Sequence, residues 1–151
     1  MLTADDRLDL LHLQYFYGHV LDAFLWNRLD EIFADDGVFD PSDVGLPIMR
    51  GLDEIREKLI PLEEGPSRDH VHNHIGTNPT IIAEMPDGTV QMRCKYIASG
   101  AGDYISFGEY FDECVKTERG WRIKHRKTRR ITANHAPFLS NPPRFDPKTE
   151  D

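Results

Sequence analysis

The second half of the chain has the pattern of long β-strands joined by tight turns, and this pattern restricts the fold more than any other feature. Pro86-Asp87-Gly88 and Glu118-Arg119-Gly120 are turn sequences. Between them and around them, polar and apolar residues alternate; in 89–99, for example, Gln91, Arg93 and Lys95 face one way and Val90, Met92, Cys94 and Tyr96 the other. We predict strands at 70–83 (bent at Asn78-Pro79), 89–99, 103–117 and 121–132.

The first half has helical periodicity instead. Apolar residues recur at helical spacing from Thr3 to about Trp26, and Thr3 followed by Asp6 is a typical start of a helix. Further helices are predicted at 27–34 and 52–62, with a short strand at Val38-Phe39-Asp40 between them. Helices followed by consecutive hairpins predict an α+β fold, with about three N-terminal helices on one face of an antiparallel sheet.

Length and composition restrict the organisation and the partners of the chain. Its 151 residues predict one domain at 1–135, followed by a proline-rich tail at 136–151. The net charge of −8 argues against a nucleic-acid-binding protein, because phosphate contacts need a basic surface. The absence of a targeting sequence and of a long apolar segment predicts a cytoplasmic protein without a membrane partner. Cys94 and Cys114 lie in strand-like sequence without metal-binding spacing.

Three histidines that share one face of a predicted strand are the strongest candidates for chemistry. His70, His72 and His74 alternate with other residues, so on a strand their side chains point the same way. They fit a metal site with two or more imidazole ligands, or one catalytic histidine with two neighbours. They also fit an ordinary polar strand end. The sequence alone leaves these three interpretations open.

Residues of the first predicted helix could complete an acid–base site. Asp22 lies between Leu21 and Ala23 near the end of an apolar helix, where a carboxylate could orient an imidazole. Tyr17 belongs to the apolar face, whereas Tyr15 lies about 20° from Asp22 on an ideal helical wheel. Tyr17 and Asp22 can therefore line one cavity only if the helix ends or bends before Asp22, which Gly18 would permit.

The last predicted strand has a basic face. Alternation places Arg122, Lys124 and Arg126 on one side, and Trp121, Ile123 and His125 on the other. An arginine of this face that turned into a cavity would bind a carboxylate or an enolate oxygen.

Several of these residues together resemble one known family. The series Tyr17, Leu21-Asp22, Trp26, Leu29, Phe33-Ala34-Asp35-Asp36 and Phe39, followed by 74–79, Gly120-Trp121-Arg122 and Arg126, resembles SnoaL-like proteins. These proteins belong to the nuclear transport factor 2-like superfamily and include scytalone dehydratase-like lyases. The resemblance covers about residues 4–135 and implies a cone-shaped α+β barrel with a strongly curved sheet and a deep apolar pocket.

The resemblance also implies roles for individual residues. His74 would remove a proton from carbon, Asp22 would orient His74, and Tyr17 would polarise or position the substrate. Phe39, His72, Arg126, Tyr15 and Trp26 are the expected substrate-binding residues. The resemblance implies neither a metal nor another cofactor, and it implies a homo-oligomer, either a trimer or a dimer. Scytalone dehydratase-like proteins have a second active-site histidine where this chain has Ile97-Ala98-Ser99.

These inferences give one leading function and several alternatives. The leading hypothesis is a cofactor-independent lyase of the dehydratase type, which eliminates water or a similar leaving group from a small hydrophobic cyclic substrate. The alternatives are a non-catalytic binding or accessory protein that uses the same pocket, an isomerase or cyclase of the same superfamily, and a metal site at His70, His72 and His74.

Overall fold

The fold is an α+β cone in which helices pack on a six-stranded mixed sheet. A computed structural model describes residues 1–61, 73–100 and 104–133. Its elements, in chain order, are α1 (Ala4–Asp22), a 3-10 helix (Trp26–Glu31), β1 (Phe33–Asp40), a 3-10 turn (Ser42–Val44), β2 (Met49–Arg50), α2 (Leu52–Leu59), β3 (Asn73–Glu84), β4 (Val90–Ser99), β5 (Ile105–Thr117) and β6 (Gly120–Ala133).

The sheet is open and contains one parallel pair. In the described residues its strand order is β2-β1-β6-β5-β4-β3, so β2 and β3 are its edges. Neighbours from β3 to β6 are antiparallel, as predicted, but β1 runs parallel to β6. The predicted cone-shaped α+β fold is confirmed, and the parallel pairing of β1 with β6 is the one departure from the expected antiparallel sheet among the described strands.

The first helix begins where its sequence predicts. The Thr3 side chain accepts a hydrogen bond from the Asp6 backbone N–H, and the Asp6 carboxylate accepts one from the Thr3 backbone. Asp6 also binds Lys116 and the Trp121 indole N–H, which links the start of α1 to β5 and β6. The Lys116 hydrogen bond, followed by the one from Thr3, lowers the pKa of Asp6.

The prediction of a helix at 27–34 was wrong at its C-terminal end. The chain forms a 3-10 helix only to Glu31, and Phe33 already begins β1. The Ile32 carbonyl accepts a hydrogen bond from the Ile123 backbone N–H, and Phe33 pairs with Ile123. This pairing with a distant strand satisfies the backbone and overrides the local helical preference.

Several other predictions agree with the described residues. Gly88 ends the first hairpin turn with φ +87°, and β3 has a register shift between Thr77 and Thr80, at the predicted bend. The inner face of β4 is buried as its alternation predicts. The predicted helix at 52–62 ends at Leu59. Leu62, the first part of the 70–83 strand and the 136–151 tail lie outside the described residues.

Candidate active site

Asp22 and His74 form the centre of the candidate site. Asp22 is the last residue of α1, and His74 is near the start of β3. The Asp22 Oδ1 atom lies 2.6 Å from His74 Nδ1. Both Asp22 carboxylate oxygens also accept from the His74 backbone N–H, at 3.1 and 2.9 Å. One carboxylate therefore holds both the backbone and the ring of His74.

This contact determines which nitrogen of His74 is free. A carboxylate only accepts hydrogen bonds, so Nδ1 donates its proton to Asp22 and Nε2 keeps its lone pair. The two side chains are 23% and 25% exposed, which leaves the ring accessible from the cavity that it lines. An imidazole held in this way can accept a proton from a bound molecule.

Gly18 allows α1 and β3 to approach closely enough for this contact. A Cβ atom at residue 18 would overlap the backbone carbonyl oxygen of His74. The helix passes through Gly18 without a break and ends at Asp22. The expected bend at Gly18 is therefore absent, and the glycine serves instead for close packing. Because the helix ends at Asp22, the carboxylate reaches His74 from beside the cavity.

A cavity of about 250 Å³ opens beside His74. Its wall is mostly aromatic and aliphatic, with a few hydroxyl groups. The lining residues are Tyr17, Leu21, Phe24, Trp26, Phe39, Pro41, Val44, Leu46, Leu59, His74, Tyr96, Ala98, Tyr104, Ser106, Tyr110 and Thr128. Such a wall suits an apolar ring compound with few polar substituents.

Tyr17 lies next to His74 in this wall. The two ring centroids are 6.2 Å apart, and Tyr17 also has edge contacts with Phe39 and Tyr110. Burial raises the pKa of Tyr17 to about 12, although Arg126 acts in the opposite direction. Tyr17 therefore remains a neutral hydroxyl that can donate a hydrogen bond at neutral pH.

Arg126 does not reach the cavity, contrary to its expected role in substrate binding. It is fully buried, and its guanidinium lies 4.1 Å from the Tyr17 ring centroid and 4.4 Å from that of Tyr110. On its other side it donates to Asp112 and Gln14. The Arg126–Asp112 pair therefore supports the two tyrosine rings from behind.

The placement of Arg126 follows from a β-bulge. Cys114 pairs with Ile123, but the preceding Glu113 pairs with His125, so Lys124 is an extra residue in β6. Ile123 and Arg126 consequently both face the core, each with 0% exposure. The prediction that Arg126 shares a face with Lys124, opposite Ile123, was wrong because alternation does not continue through a bulge.

The other predicted residues have mixed outcomes. Trp26 and Phe39 line the cavity. Tyr15 is 50% exposed on the opposite side of α1 and does not line it. His72 and His70 lie outside the described residues, and no metal-binding cluster occurs among the residues that are described.

Sequence reasoning missed a group of cavity residues from β4, β5 and β6. Tyr96, Ser106, Tyr110 and Thr128 all point inward and line the wall. The alternation of β4 already assigned Tyr96 to the inner face. The strand registers that bring it beside Ser106 and Tyr110 could not be obtained from alternation alone.

Comparison with known proteins agrees with this fold. A family model described as a SnoaL-like domain matches residues 2–127. The chain belongs to the SnoaL-like family. The resemblance inferred from the sequence is thus confirmed. No match is found among curated proteins. In the described part of this SnoaL-like chain, no helix is both long and apolar enough to cross a membrane.

Solved structures of similar fold include three proteins from Novosphingobium aromaticivorans. A proposed scytalone dehydratase has a TM-score of 0.73 and 19% identity, and the match covers 95% of this SnoaL-like chain and 100% of that chain. A proposed aromatic ring hydroxylase has a TM-score of 0.69 and 26% identity, with 87% and 93% covered. An NTF2-like protein with a cystatin-like fold has a TM-score of 0.64 and 21% identity, with 87% and 84% covered.

Proposed function

We propose that the protein is a cofactor-independent lyase of the dehydratase type, acting on a small hydrophobic cyclic substrate. The observation that carries the proposal is the 2.6 Å contact between Asp22 Oδ1 and His74 Nδ1 at the wall of an aromatic cavity. In this proposal Nε2 of His74 removes a proton from carbon next to a carbonyl group. The proton moves to Nε2, and the electron pair of the broken C–H bond forms an enolate.

Asp22 and Tyr17 support the two charges that develop. The Asp22 carboxylate stabilises the imidazolium form of His74 and fixes the direction of its ring. The Tyr17 hydroxyl donates a hydrogen bond to the carbonyl oxygen as negative charge accumulates there. Arg126 lies behind the Tyr17 ring and holds it in place, so it acts as a positioning residue.

The elimination step then expels the leaving group from the neighbouring carbon. The enolate electron pair forms the new C=C bond as the C–O bond breaks. The proton that His74 Nε2 took from carbon passes to the leaving oxygen, which departs as water and leaves His74 neutral again. The apolar wall excludes bulk water from the enolate, which lowers the chance that it is reprotonated by solvent. The side chains named here supply the base and the hydrogen-bond donor, so the proposed step needs no additional reactant.

The proposal is tested with two compounds that separate proton removal from elimination. The first is 2-tetralone, a bicyclic ketone without a suitable leaving group, whose acidic C–H protons exchange with deuterium oxide when an enolate forms. The second is 3-hydroxy-1-tetralone, which loses water to give 1-naphthol. We expect enzyme-dependent exchange of the first, followed by NMR, and enzyme-dependent formation of 1-naphthol from the second, followed by absorbance.

Variants connect these activities to the dyad. His74→Ala should reduce both rates by about 10²-fold or more, the usual contribution of a general base, and Asp22→Asn should reduce both as well. His19→Ala, on the exposed side of α1, is the matched control and should retain wild-type rates. Full activity in His74→Ala would exclude the mechanism. Exchange without water loss would instead favour an isomerase, and saturable binding with neither activity would favour a binding protein.

A further inference from the structure

The chain leaves α1 through a backbone conformation that strongly favours glycine. Phe24 has φ +53°, in the left-handed region where a Cβ atom is crowded by the backbone. In the described part of the chain, the other positive φ values belong to glycines and to Asn78, residue types that tolerate this region. Phe24 is therefore the one bulky side chain that the described fold holds on a strained backbone.

The conformation of Phe24 belongs to a regular helix ending, the Schellman motif. The Leu25 backbone N–H donates to the Val20 carbonyl at 2.9 Å. The Phe24 backbone N–H donates to the Leu21 carbonyl at 3.2 Å. This pattern places Phe24 just beyond the helix cap, at the position that is usually glycine. Because both hydrogen bonds use backbone atoms only, glycine would form them without strain, so the helix ending does not explain the phenylalanine.

The Phe24 side chain lies where the cavity meets solvent. Most residues of the cavity wall are buried, but a few are partly exposed and mark its opening. These partly exposed lining residues are Phe24, Val44, Leu46, His74 and Tyr104. The Phe24 ring packs edge-on against the buried Trp26, with a centroid distance of 5.6 Å. Phe24 thus extends the aromatic wall from the interior to the opening that includes His74.

The segment that joins Asp22 to Trp26 can supply a side chain to this opening only at residue 24. Ala23 is exposed and does not line the cavity. Leu25 packs against the core and does not line it either. Strained backbone conformations persist mainly where the side chain that they carry has a function. The strain at residue 24 is therefore accounted for by the need for a ring beside the cavity opening.

We propose that Phe24 is a specificity-determining residue, whose ring closes the cavity opening over an apolar ring compound and limits the size of the ligand. A compound of two fused rings lies inside the Phe24 ring, whereas a third fused ring extends into the opening and meets it. This inference rests on the proposed function in taking the cavity as the substrate site. It adds a limit on substrate size that is set at the end of α1.

The first part of the test separates the ring of residue 24 from its backbone. Phe24→Ala removes the ring and keeps the Cβ atom, whereas Phe24→Gly removes both. We expect Phe24→Gly to melt about 3 °C above Phe24→Ala, because glycine relieves the left-handed strain that alanine retains. If Phe24→Ala melted at the same temperature or higher, residue 24 would not be strained and the inference would be overturned.

The second part measures ligand size by equilibrium dialysis with two ketones. 2-Tetralone has two fused rings, and fluorenone has three. In both Phe24 variants we expect the affinity for 2-tetralone, relative to that for fluorenone, to fall about tenfold below the wild-type ratio. Phe16→Ala is the matched control, because Phe16 is a partly buried ring of α1 that does not line the cavity. It should keep the wild-type ratio.

Binding is measured without turnover, so the result is separate from catalysis. An unchanged ratio of the two affinities in Phe24→Gly would overturn the inference, because a purely structural role of the ring does not select by ligand size. Failure of the wild-type protein to bind 2-tetralone would overturn it as well. Absence of lyase activity in a protein with the Phe24-dependent ratio would count against the proposed function only.

Discussion

Gly18 of α1 and His74 of β3 are in backbone contact, and only a hydrogen atom on the Gly18 Cα fits against the His74 carbonyl oxygen. The same two elements provide Asp22 and His74, whose side chains lie 2.6 Å apart. The distance between α1 and β3 therefore determines the distance between the Asp22 and His74 side chains. A glycine that touches no ligand thus controls the position of two residues that we place in catalysis.

We expect Gly18→Ala to destabilise the protein and to disrupt the Asp22–His74 contact. The clash is with a backbone oxygen, so β3 must move away from α1. Overpacking of this kind costs about 1–3 kcal/mol of the free energy of unfolding, which urea denaturation measures. Gly76→Ala is the matched control, because its new Cβ would meet the Cys94 Sγ at 3.3 Å and the Gln14 carbonyl at 3.4 Å. Equal losses in both variants would contradict the prediction.

A second prediction concerns the buried pair of Arg126 and Asp112, whose side chains are both 0% exposed. Asp112→Asn leaves the Arg126 cation without its counter-charge, and we expect a loss of about 3–5 kcal/mol in the free energy of unfolding. The double variant Asp112→Leu/Arg126→Met removes both charges and should lose less stability than the single variants Asp112→Leu and Arg126→Met together. Strictly additive losses in urea denaturation would show that the pair is not coupled.

Alkaline pH should lower the free energy of unfolding, because Tyr17 ionises more readily in the unfolded chain than in the folded protein. Its pKa is raised from 10.0 to about 12, mainly by burial. As pH rises through this interval, the unfolded chain loses the Tyr17 proton while the folded protein retains it, so the unfolded state is favoured. The loss should approach an order of 2 kcal/mol near pH 12. This alkaline loss of stability should be smaller in Tyr17→Phe than in the wild-type protein.

Denaturation at about pH 9 and at about pH 11 measures this difference. Phe33→Leu is a suitable control, because Phe33 packs against the Tyr17 ring but does not titrate. It should lower stability at both pH values equally. If Tyr17→Phe and wild type lost the same stability between the two pH values, the alkaline effect would have to be assigned to another group.

Ala98, which pairs with His74 and lines the cavity, gives a prediction about ligand size. Ala98→Leu should fill part of the cavity and reduce the affinity for 2-tetralone by about tenfold or more, with a change in stability below about 2 kcal/mol. Ile97→Leu, one residue away on the opposite face of β4, is the control and should bind normally. Dialysis and urea denaturation together distinguish a blocked cavity from an unfolded protein. Normal 2-tetralone binding by Ala98→Leu would place the ligand outside this cavity.

Local chemistry made part of this structure predictable. Thr3 and Asp6 start α1 as expected, because their hydrogen bonds involve residues only three positions apart. The inner face of β4 was likewise available from its alternation. The association of Asp22 with His74 was expected from the family resemblance, and the structure brings these two side chains together.

Long-range pairing explains most of the errors. The helix predicted at 27–34 is replaced in part by β1, because Ile32 and Phe33 pair with Ile123. Arg126 faces the core because Lys124 is an extra residue in β6. In neither case does the sequence next to the affected residue indicate the long-range pairing that determines its structure. The positions of Tyr96 and Ser106 in the cavity wall were missed for the same reason, since they depend on registers between separate strands.

The parallel pairing of β1 with β6 has a consequence for how the chain folds. β1 precedes every other strand of the described sheet, but its neighbour β6 is the last of these strands in the chain. β2 joins the sheet only through β1. The β3–β6 hairpins can form from neighbouring segments, whereas β1 cannot pair with β6 until the chain has been synthesised through residues 120–133. Contacts of such high sequence separation slow folding. Until β6 is made, Phe33 lacks its strand partner Ile123, whereas Phe39 can already pair with Met49 of β2. We therefore expect the Phe33 end of β1 to be the part most exposed to aggregation during folding.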